Sequence, residues 1–300
     1  MTLKQLEAFY LAANLGSFAI AAERLRVTQS SLSKRIAELE VSIGKELFDR
    51  SSKRAHLTET GYRLLPAVAK MLELQDSLKA IVSNTATLTG ICRFGISELG
   101  ALTWLPKFVA RVRGEHPALV LRPHVDLAKR LERQVLRGEL DFAVVAGPPD
   151  DPELSSQTIC QVRFTWVASP SRLRSGIVLA AKEFERHPVI TMTEGSRSTQ
   201  AFEAWVGEQG LKMQRVLASN SLMAIVALTV ADVGISFLPE DYMLPWIKRG
   251  SLVSLRSNPP LPALNYCFLH RADDHRTLVS ALQRYVLEEA DYCQPAEWVG

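Results

Sequence analysis

Residues 16–44 read GSFAIAAERLRVTQSSLSKRIAELEVSIG, and the spacing within this stretch decides the fold of the first part of the chain. Gly16 stops a preceding helical segment in which Leu3, Leu6, Phe9 and Tyr10 fall at helical spacing. Ser17 is placed to cap the next helix. There Phe18, Ala21, Ala22 and Leu25 recur at i, i+3, i+4 and i+7, one face of a helix. The adjacent alanines permit close helix approach. Arg26, Val27 and Thr28 make a short break. Thr28 then caps a third helix with Leu32, Ile36, Leu39 and Ile43 inward, and Gly44 ends it. Two helices joined by so short a turn must cross steeply, which is helix-turn-helix geometry.

The outward side of the third helix carries Gln29, Ser30, Ser31, Ser33, Lys34 and Arg35 behind the capping Thr28. These are hydrogen-bonding and cationic groups of the kind that read base edges or hold phosphates. Beyond it, Leu47 and Phe48 anchor a segment with Arg50, Lys53 and Arg54 before Leu57, a short basic wing suited to phosphates or a minor groove. From Arg24 to His56 there are eight Lys/Arg against four Asp/Glu, so the basic excess is local. Base reading falls to Gln29, Ser30, Ser31 and Arg35; Lys34, Arg50, Lys53 and Arg54 mainly hold phosphates. A solvated charged face on a small helical bundle would show the same residues.

A family resemblance sharpens the choice. Residues 1 to about 65 resemble the N-terminal domain of LysR-type transcriptional regulators. The resemblance is carried by the run Leu6 to Phe9, Gly16-Ser17-Phe18, Ala21-Ala22-Glu23-Arg24-Leu25 and Thr28-Gln29-Ser30-Ser31-Leu32-Ser33. It continues through Ile36, Leu39-Glu40, Gly44, Leu47-Phe48-Asp49-Arg50 and Leu57-Thr58-Glu59-Thr60-Gly61 without a gap. The family usually has proline where this chain has Ser30, and often alanine at Ser31. Hydroxyls in place of an apolar contact would change which base is read, not whether DNA is bound.

The whole chain, 300 residues with 47% hydrophobic and 22% charged content, allows about two globular domains and excludes a disordered tail or a disulfide mini-protein. The net charge of +3 is weak evidence for a polyanion partner. The longest apolar run, Leu222 to Ala231, is too short to span a bilayer, and Lys4 and Glu7 interrupt any signal core. A cytoplasmic location and no membrane partner are therefore expected. Cys92, Cys160, Cys267 and Cys293 form no CxxC pair and are expected to be reduced.

Residues 59–89 form a linker. Leu64, Val68, Met71, Leu78 and Val82 alternate by fours and threes, with Gln75 interrupting and Leu65 and Leu72 broadening the stripe, which reads as a heptad seam. Pro66 should kink the helix or shift its start. The periodicity also fits a helix folded onto its own core; the resemblance implies the family's linker helix, pairing two chains. A polar stretch, Ser83 to Gly90, reads as a hinge.

From Ile91 onward strands alternate with amphipathic helices. Strands are expected at 91–96, 119–125 and 142–146, with helices at 99–112 and 127–136. A second set follows with strands near 165–168, 189–192, 216–218 and 235–238, helices near 199–207 and 222–230, then a strand at 266–269 and a helix at 277–289. The fold class is α+β multidomain: a winged helix-turn-helix over 1–58, the linker helix, and a two-lobed α/β effector domain over 90–300. Lobe I takes about 90–162 and 268–300, lobe II about 163–267. Ligands in open α/β sheets sit beyond the carboxyl ends of the strands. Those ends carry Ser97 and Glu98, Gly147, Glu194 to Thr199, Asn220, and Phe237 within Val233 to Pro239. Gly195, Ser196, Arg197, Ser198 and Thr199 open a helix with hydroxyls and a guanidinium, an anion site in outline. An ordinary polar cap with a surface arginine would look alike, and Glu194 opposes simple anion affinity.

The region more loosely resembles the family's effector domain, itself similar to periplasmic solute-binding proteins. The resemblance implies a small co-inducer in the cleft, with Ser97, Ser196, Arg197 and Thr199 the leading contacts and a small organic anion the expected class. It further implies a homodimer or a homotetramer on an inverted-repeat, double-stranded DNA operator, with RNA polymerase a further candidate partner. The competing classes are an enzyme with a DNA-binding appendage and a DNA-free scaffold. There is no GxSxG, GxGxxG, P-loop or HExxH, and the six histidines have no metal-ligand spacing. No catalytic residue, metal or cofactor is expected. His116 and His187, each before proline, look like loop residues, and the pairs Asp150-Asp151 and Asp273-Asp274 look solvated.

Overall fold

The computed structural model describes residues 1–49, 55–82 and 87–293, without side-chain detail at positions 70, 73 and 76–82. Arg50, Lys53 and Arg54 lie outside the described residues. The first three helices are α1 (Leu3–Leu15), α2 (Phe18–Arg24) and α3 (Gln29–Ile43). Local chemistry sets each boundary. Gly16 and Gly44 adopt left-handed backbone at the ends of α1 and α3. The Ser17 hydroxyl accepts from Ile20 N and the Thr28 hydroxyl from Ser31 N. The turn between α2 and α3 contains Arg26 at φ +53°.

Leu6, Phe9, Ala21, Ala22, Leu32, Ile36 and Leu39 close the small core beneath these helices. Phe48 joins it, its ring 5.6 Å from Phe9 and 5.1 Å from Phe18. Phe48 also bridges to Leu57, closing the base of the wing. Glu40 is buried in α3 because its carboxylate accepts from Leu47 N and Phe48 N, tying the wing base to the third helix.

The linker helix α4 (Glu59–Val82) starts at the Thr58 cap, whose hydroxyl accepts from Gly61 N, and runs through Pro66 without ending there. The described residues of the expected seam do not share one face. Val68 is buried in the helix-turn-helix core, and Leu64, Leu65 and Leu72 pack against it. Met71 and Leu74 are exposed instead. With Ala67 they form a stripe spaced four and three, which the sequence continues at Leu78 and Ile81. A 3.6-residue helix can offer two apolar faces, and the side nearest the winged core takes Val68. Gly61 fixes that docking: a Cβ there would collide with the Leu47 carbonyl and lie 2.8 Å from Leu57 Cδ2. Gly61→Ala should therefore cost about 1–3 kcal/mol, measured by urea denaturation monitored by helical circular dichroism.

The effector region has two sheets. The strands of lobe I are β1 (Gly90–Ile96), β2 (Leu119–Val125), β3 (Phe142–Ala146), β4 (Leu154–Val162) and, from late in the chain, β11 (Leu264–Arg271). They lie in the order β2-β1-β3-β11-β4. β1, β2 and β3 are parallel, and β11 runs antiparallel to β3 and β4. The helices of this lobe are α5 (Glu98–Leu102), α6 (Leu105–Glu115), α7 (Ala128–Leu136) and α12 (Thr277–Glu289). The single helix expected over 99–112 is two, because Pro106 opens a new one just after Trp104.

The strands of lobe II are β5 (Phe164–Ala168), β6 (Val178–Leu179), β7 (Val189–Met192), β8 (Arg215–Ser219), β9 (Ile235–Pro239) and β10 (Val253–Ser257). Their order is β6-β10-β5-β9-β7-β8. The helices are α8 (Ala181–Arg186), α9 (Arg197–Glu208), α10 (Leu222–Val230) and α11 (Glu240–Lys248). The chain crosses between lobes at Arg163 and again over 258–263. The second crossing precedes Leu264, so residues 264–267 belong with lobe I, not lobe II as expected. A shared core of Phe94, Phe108, Phe142 and Phe268 from lobe I with Val167, Ile190 and Leu238 from lobe II joins the two.

His116 corrects another expectation. It is buried at the end of α6, its Nδ1 accepts from Leu88 N, and its Nε2 lies 3.0 Å from the Tyr285 hydroxyl. The helix-turn-helix also docks on lobe I. Arg24 donates to both oxygens of Asp141, Tyr10 donates to the Asp273 carbonyl, and the Leu15 side chain occupies the space a Cβ at Gly138 would need.

Candidate functional site

Two surfaces hold the residues singled out from the sequence. The first is α3. Thr28, Gln29, Ser30, Ser33 and Lys34 are exposed, and Ser31 and Arg35 are half-buried. The Thr28 and Ser30 hydroxyls lie 3.0 Å apart at the start of the helix. Leu32, Ile36 and Leu39 are buried on the opposite face. The helix thus presents one polar, cationic ridge without giving up its core contacts.

The second surface is the cleft between the lobes, a cavity of about 260 Å³ beyond the carboxyl ends of β1, β3, β7, β8 and β9. A larger groove, about 320 Å³, runs along the seam between the helix-turn-helix, α4 and lobe I, and is lined by the docking residues Arg24 and Arg276. The interlobe cleft brings together Ser97, Glu98, Ser196, Arg197, Ser198, Asn220 and Phe237. Sequence reading missed its apolar walls, among them Val125, Leu127, Phe164 and Tyr266. Their signal was present: each stands at or near a strand end. Burial pushes the Tyr266 phenol upward.

Three expected contacts are not on the wall. Thr199 is buried and donates to the Met192 carbonyl, which consumes its hydroxyl in holding α9 to β7. Glu194 and Gly147 do not line the cleft either.

Arg197 lines the cleft but is not a free anion receptor. Its Nε and Nη2 donate to Glu132 of α7 at 3.2 and 2.7 Å, with a further bond from Nη2 to the other carboxylate oxygen at 2.9 Å. Its Nη1 donates to Asp150 at 2.8 Å. Burial alone would lower the pKa of this guanidinium; the bonds to Asp150 and Glu132 reverse that and raise it. Asp150 is exposed, as expected, and is also one half of a clasp between the lobes. Glu98 makes a second clasp. It lies in lobe I, accepts from the Ser221 hydroxyl at 3.0 Å, and also accepts from Leu222 N at the start of α10 in lobe II. Burial and the Glu98 charge push the nearby Tyr242 phenol up to about 12.

Comparison with known proteins places both surfaces in context. Residues 3–62 match the family profile described as bacterial regulatory helix-turn-helix protein, lysR family, and residues 85–291 match the LysR substrate binding domain. The chain is 26% identical over 277 residues to the HTH-type transcriptional regulator CzcR of Bacillus cereus, covering 92% of this chain and 93% of that protein. It is 25% identical over 295 residues to the HTH-type transcriptional regulator GltR of Bacillus subtilis, covering 98% of each. Among solved structures, a full-length OxyR variant from Pseudomonas aeruginosa aligns with a TM-score of 0.64 at 20% identity, over 98% of this chain and 97% of that one. Full-length CbnR complexed with its target DNA aligns with a TM-score of 0.54 at 18% identity, over 97% and 100%. These two likenesses are of fold.

Proposed function

The chain belongs to the LysR family of DNA-binding transcriptional regulators, and from that premise we propose that α3 reads an inverted-repeat operator while the interlobe cleft takes a small effector. The observation that carries the DNA half is the exposure of Gln29 and Lys34 on a helix whose other face is fully packed. Gln29 offers the paired donor and acceptor that adenine's major-groove edge requires, and Lys34 offers charge to the backbone. Ser30 and Ser31 stand beside Gln29 as base contacts, and Arg35 flanks them. Arg50, Lys53 and Arg54 of the wing hold phosphates by their charge.

The family is one of regulators, not enzymes. No described helix is long and apolar enough to cross a membrane. Two chains pair along the Ala67, Met71 and Leu74 stripe of α4, which sets two recognition helices for half-sites in register with the DNA turn. Effector binding acts by shifting the balance between lobe arrangements, so the ligand must prefer one arrangement energetically. Operator bend and access of RNA polymerase then decide the transcriptional outcome.

Gln29→Ala should weaken binding to the cognate operator by about 1–3 kcal/mol and relax base preference at one position, while binding to random DNA is nearly unchanged. Fluorescence anisotropy on both DNAs, repeated across a salt series, measures this. An equal loss on both DNAs would reassign Gln29 to the backbone. Absence of any affinity at low salt would remove the regulator's DNA contact altogether.

A further inference from the structure

We propose that the interlobe cleft is built for a small cation with an apolar body, such as a primary ammonium on a hydrophobic skeleton, and not for an organic anion. The inference rests on the cleft being the effector site. It reverses the class that the hydroxyls and arginine of 195–199 suggested from sequence.

The charge balance at the cleft is negative. Among the described residues, Arg197 is the cationic side chain on its wall, with Glu98 and Asp126 as the acidic ones. The positive charge of Arg197 is already met by two carboxylates, Glu132 and Asp150. Lys129 reaches the lobe junction through its backbone N–H, which donates to the Gly195 carbonyl, and does not line the cleft. Asp126 faces a largely exposed Arg130 at 3.6 Å and the half-exposed His124 ring at 3.9 Å, neither of which lines the cleft.

Glu98 is the deciding group. Two helix N-termini, whose N–H groups and dipoles favour negative charge, open on the cleft: that of α9 at Ser196 and that of α10 at Ser221. The second is taken by the Glu98 carboxylate. A ligand carboxylate at α10 would have to displace Glu98 or sit beside it, and like charges at contact distance in a partly desolvated cleft repel strongly. An ammonium meets the opposite situation. Both Glu98 oxygens have further lone pairs available, and its partners are a hydroxyl and a backbone N–H, neither of them charged. Leu127, Phe164, Phe237 and Leu222 supply an apolar surface for the rest of the molecule. A cavity of about 260 Å³ limits the ligand to a small metabolite.

The test uses the full chain, isothermal titration calorimetry, and two probes matched in size, 2-phenylethylammonium and 3-phenylpropionate, at constant ionic strength. The ammonium should bind at least about tenfold more tightly than the carboxylate. Glu98→Gln, which keeps an acceptor for Leu222 N, should abolish that preference. Ser198→Trp, which fills the cleft from α9, should block binding of the ammonium; melting curves of both variants establish that they fold. Tighter binding of the carboxylate, or no binding of either probe, overturns the inference. If the carboxylate binds and Ser198→Trp blocks it, the cleft remains the effector site and only its charge preference is wrong. If ammonium binding is unchanged in both variants, the ligand lies elsewhere and the effector-site assignment fails with it.

Discussion

Asp141→Ala should destabilise the effector domain by about 3–5 kcal/mol, the cost of removing one partner from a buried ion-pair cluster. The Asp141 side chain is fully buried between lobe I and the helix-turn-helix. It accepts two bonds from Arg24, one from Arg93 N at 2.7 Å, and contacts Arg276 at 2.8 Å. Deleting the carboxylate leaves both guanidinium groups facing a site with one carboxylate fewer, and Arg276 keeps only Asp274. Urea denaturation followed by tryptophan fluorescence suits the measurement, because all five tryptophans, 104, 166, 205, 246 and 298, lie in the effector portion of the chain. Arg24→Ala should cost less, since Arg276 still neutralises Asp141. Equal losses in the two variants would mean that Arg24 alone holds the cluster.

The same carboxylate sets a pH dependence. Burial tends to raise the Asp141 pKa, but Arg276, Arg24 and the Arg93 N–H outweigh burial and hold it below the ordinary value of 3.8. A group with a lowered folded pKa stabilises the fold fully above its unfolded value. That contribution is lost as pH falls from about 3.8 toward the lower folded pKa. Asp141→Asn should therefore flatten the acid limb of the stability curve below about pH 4 while leaving its shape near neutrality unchanged.

What was legible in the sequence was local. Gly16, Ser17, Thr28 and Gly44 announce their helix ends because each acts on backbone groups within a few residues. The outward face of α3 follows from the same periodicity. What was illegible depended on partners far along the chain. Nothing near Arg197 indicates that Glu132 and Asp150, 65 and 47 residues away, would neutralise it. Asp141 likewise carries no sign that Arg24 would reach it from 117 residues away. Strand β4 was missed for a different reason. Its middle, Ser155-Ser156-Gln157-Thr158, sits at a sheet edge with polar residues facing water, so the alternation that marks a half-buried strand is absent. The cleft residues were found where they stand at strand ends, but the ion pairs that engage Arg197 were not, because its partners come from across the lobe junction.

Met71→Lys combined with Leu74→Lys should convert the protein to a monomer and cost about 10²–10⁴ in operator affinity. Both side chains are exposed on α4, and with Ala67 they form an apolar stripe pointing away from the winged core. An isolated apolar stripe on a long helix gains little by facing water; paired with a second copy it buries surface at about 25 cal/mol per Å². The register matters to the choice of residues. Val68 and Leu64 also fit a seam by spacing, yet they pack against the chain's own helix-turn-helix core, so substituting them would unfold that domain and say nothing about pairing. Lysines at 71 and 74 leave those contacts intact and place like charges across the paired helices. The expected affinity loss is large because a dimer binds its second half-site at the effective concentration set by the first, and a monomer forfeits that advantage without losing any base contact. Sedimentation velocity would follow the change in mass, and anisotropy on a full operator and on a single half-site would separate the two effects. The half-site affinity should be nearly unchanged while full-operator affinity falls. An unaltered sedimentation profile would show that α4 does not hold the chains together, and the surface that does would have to be sought on the effector lobes.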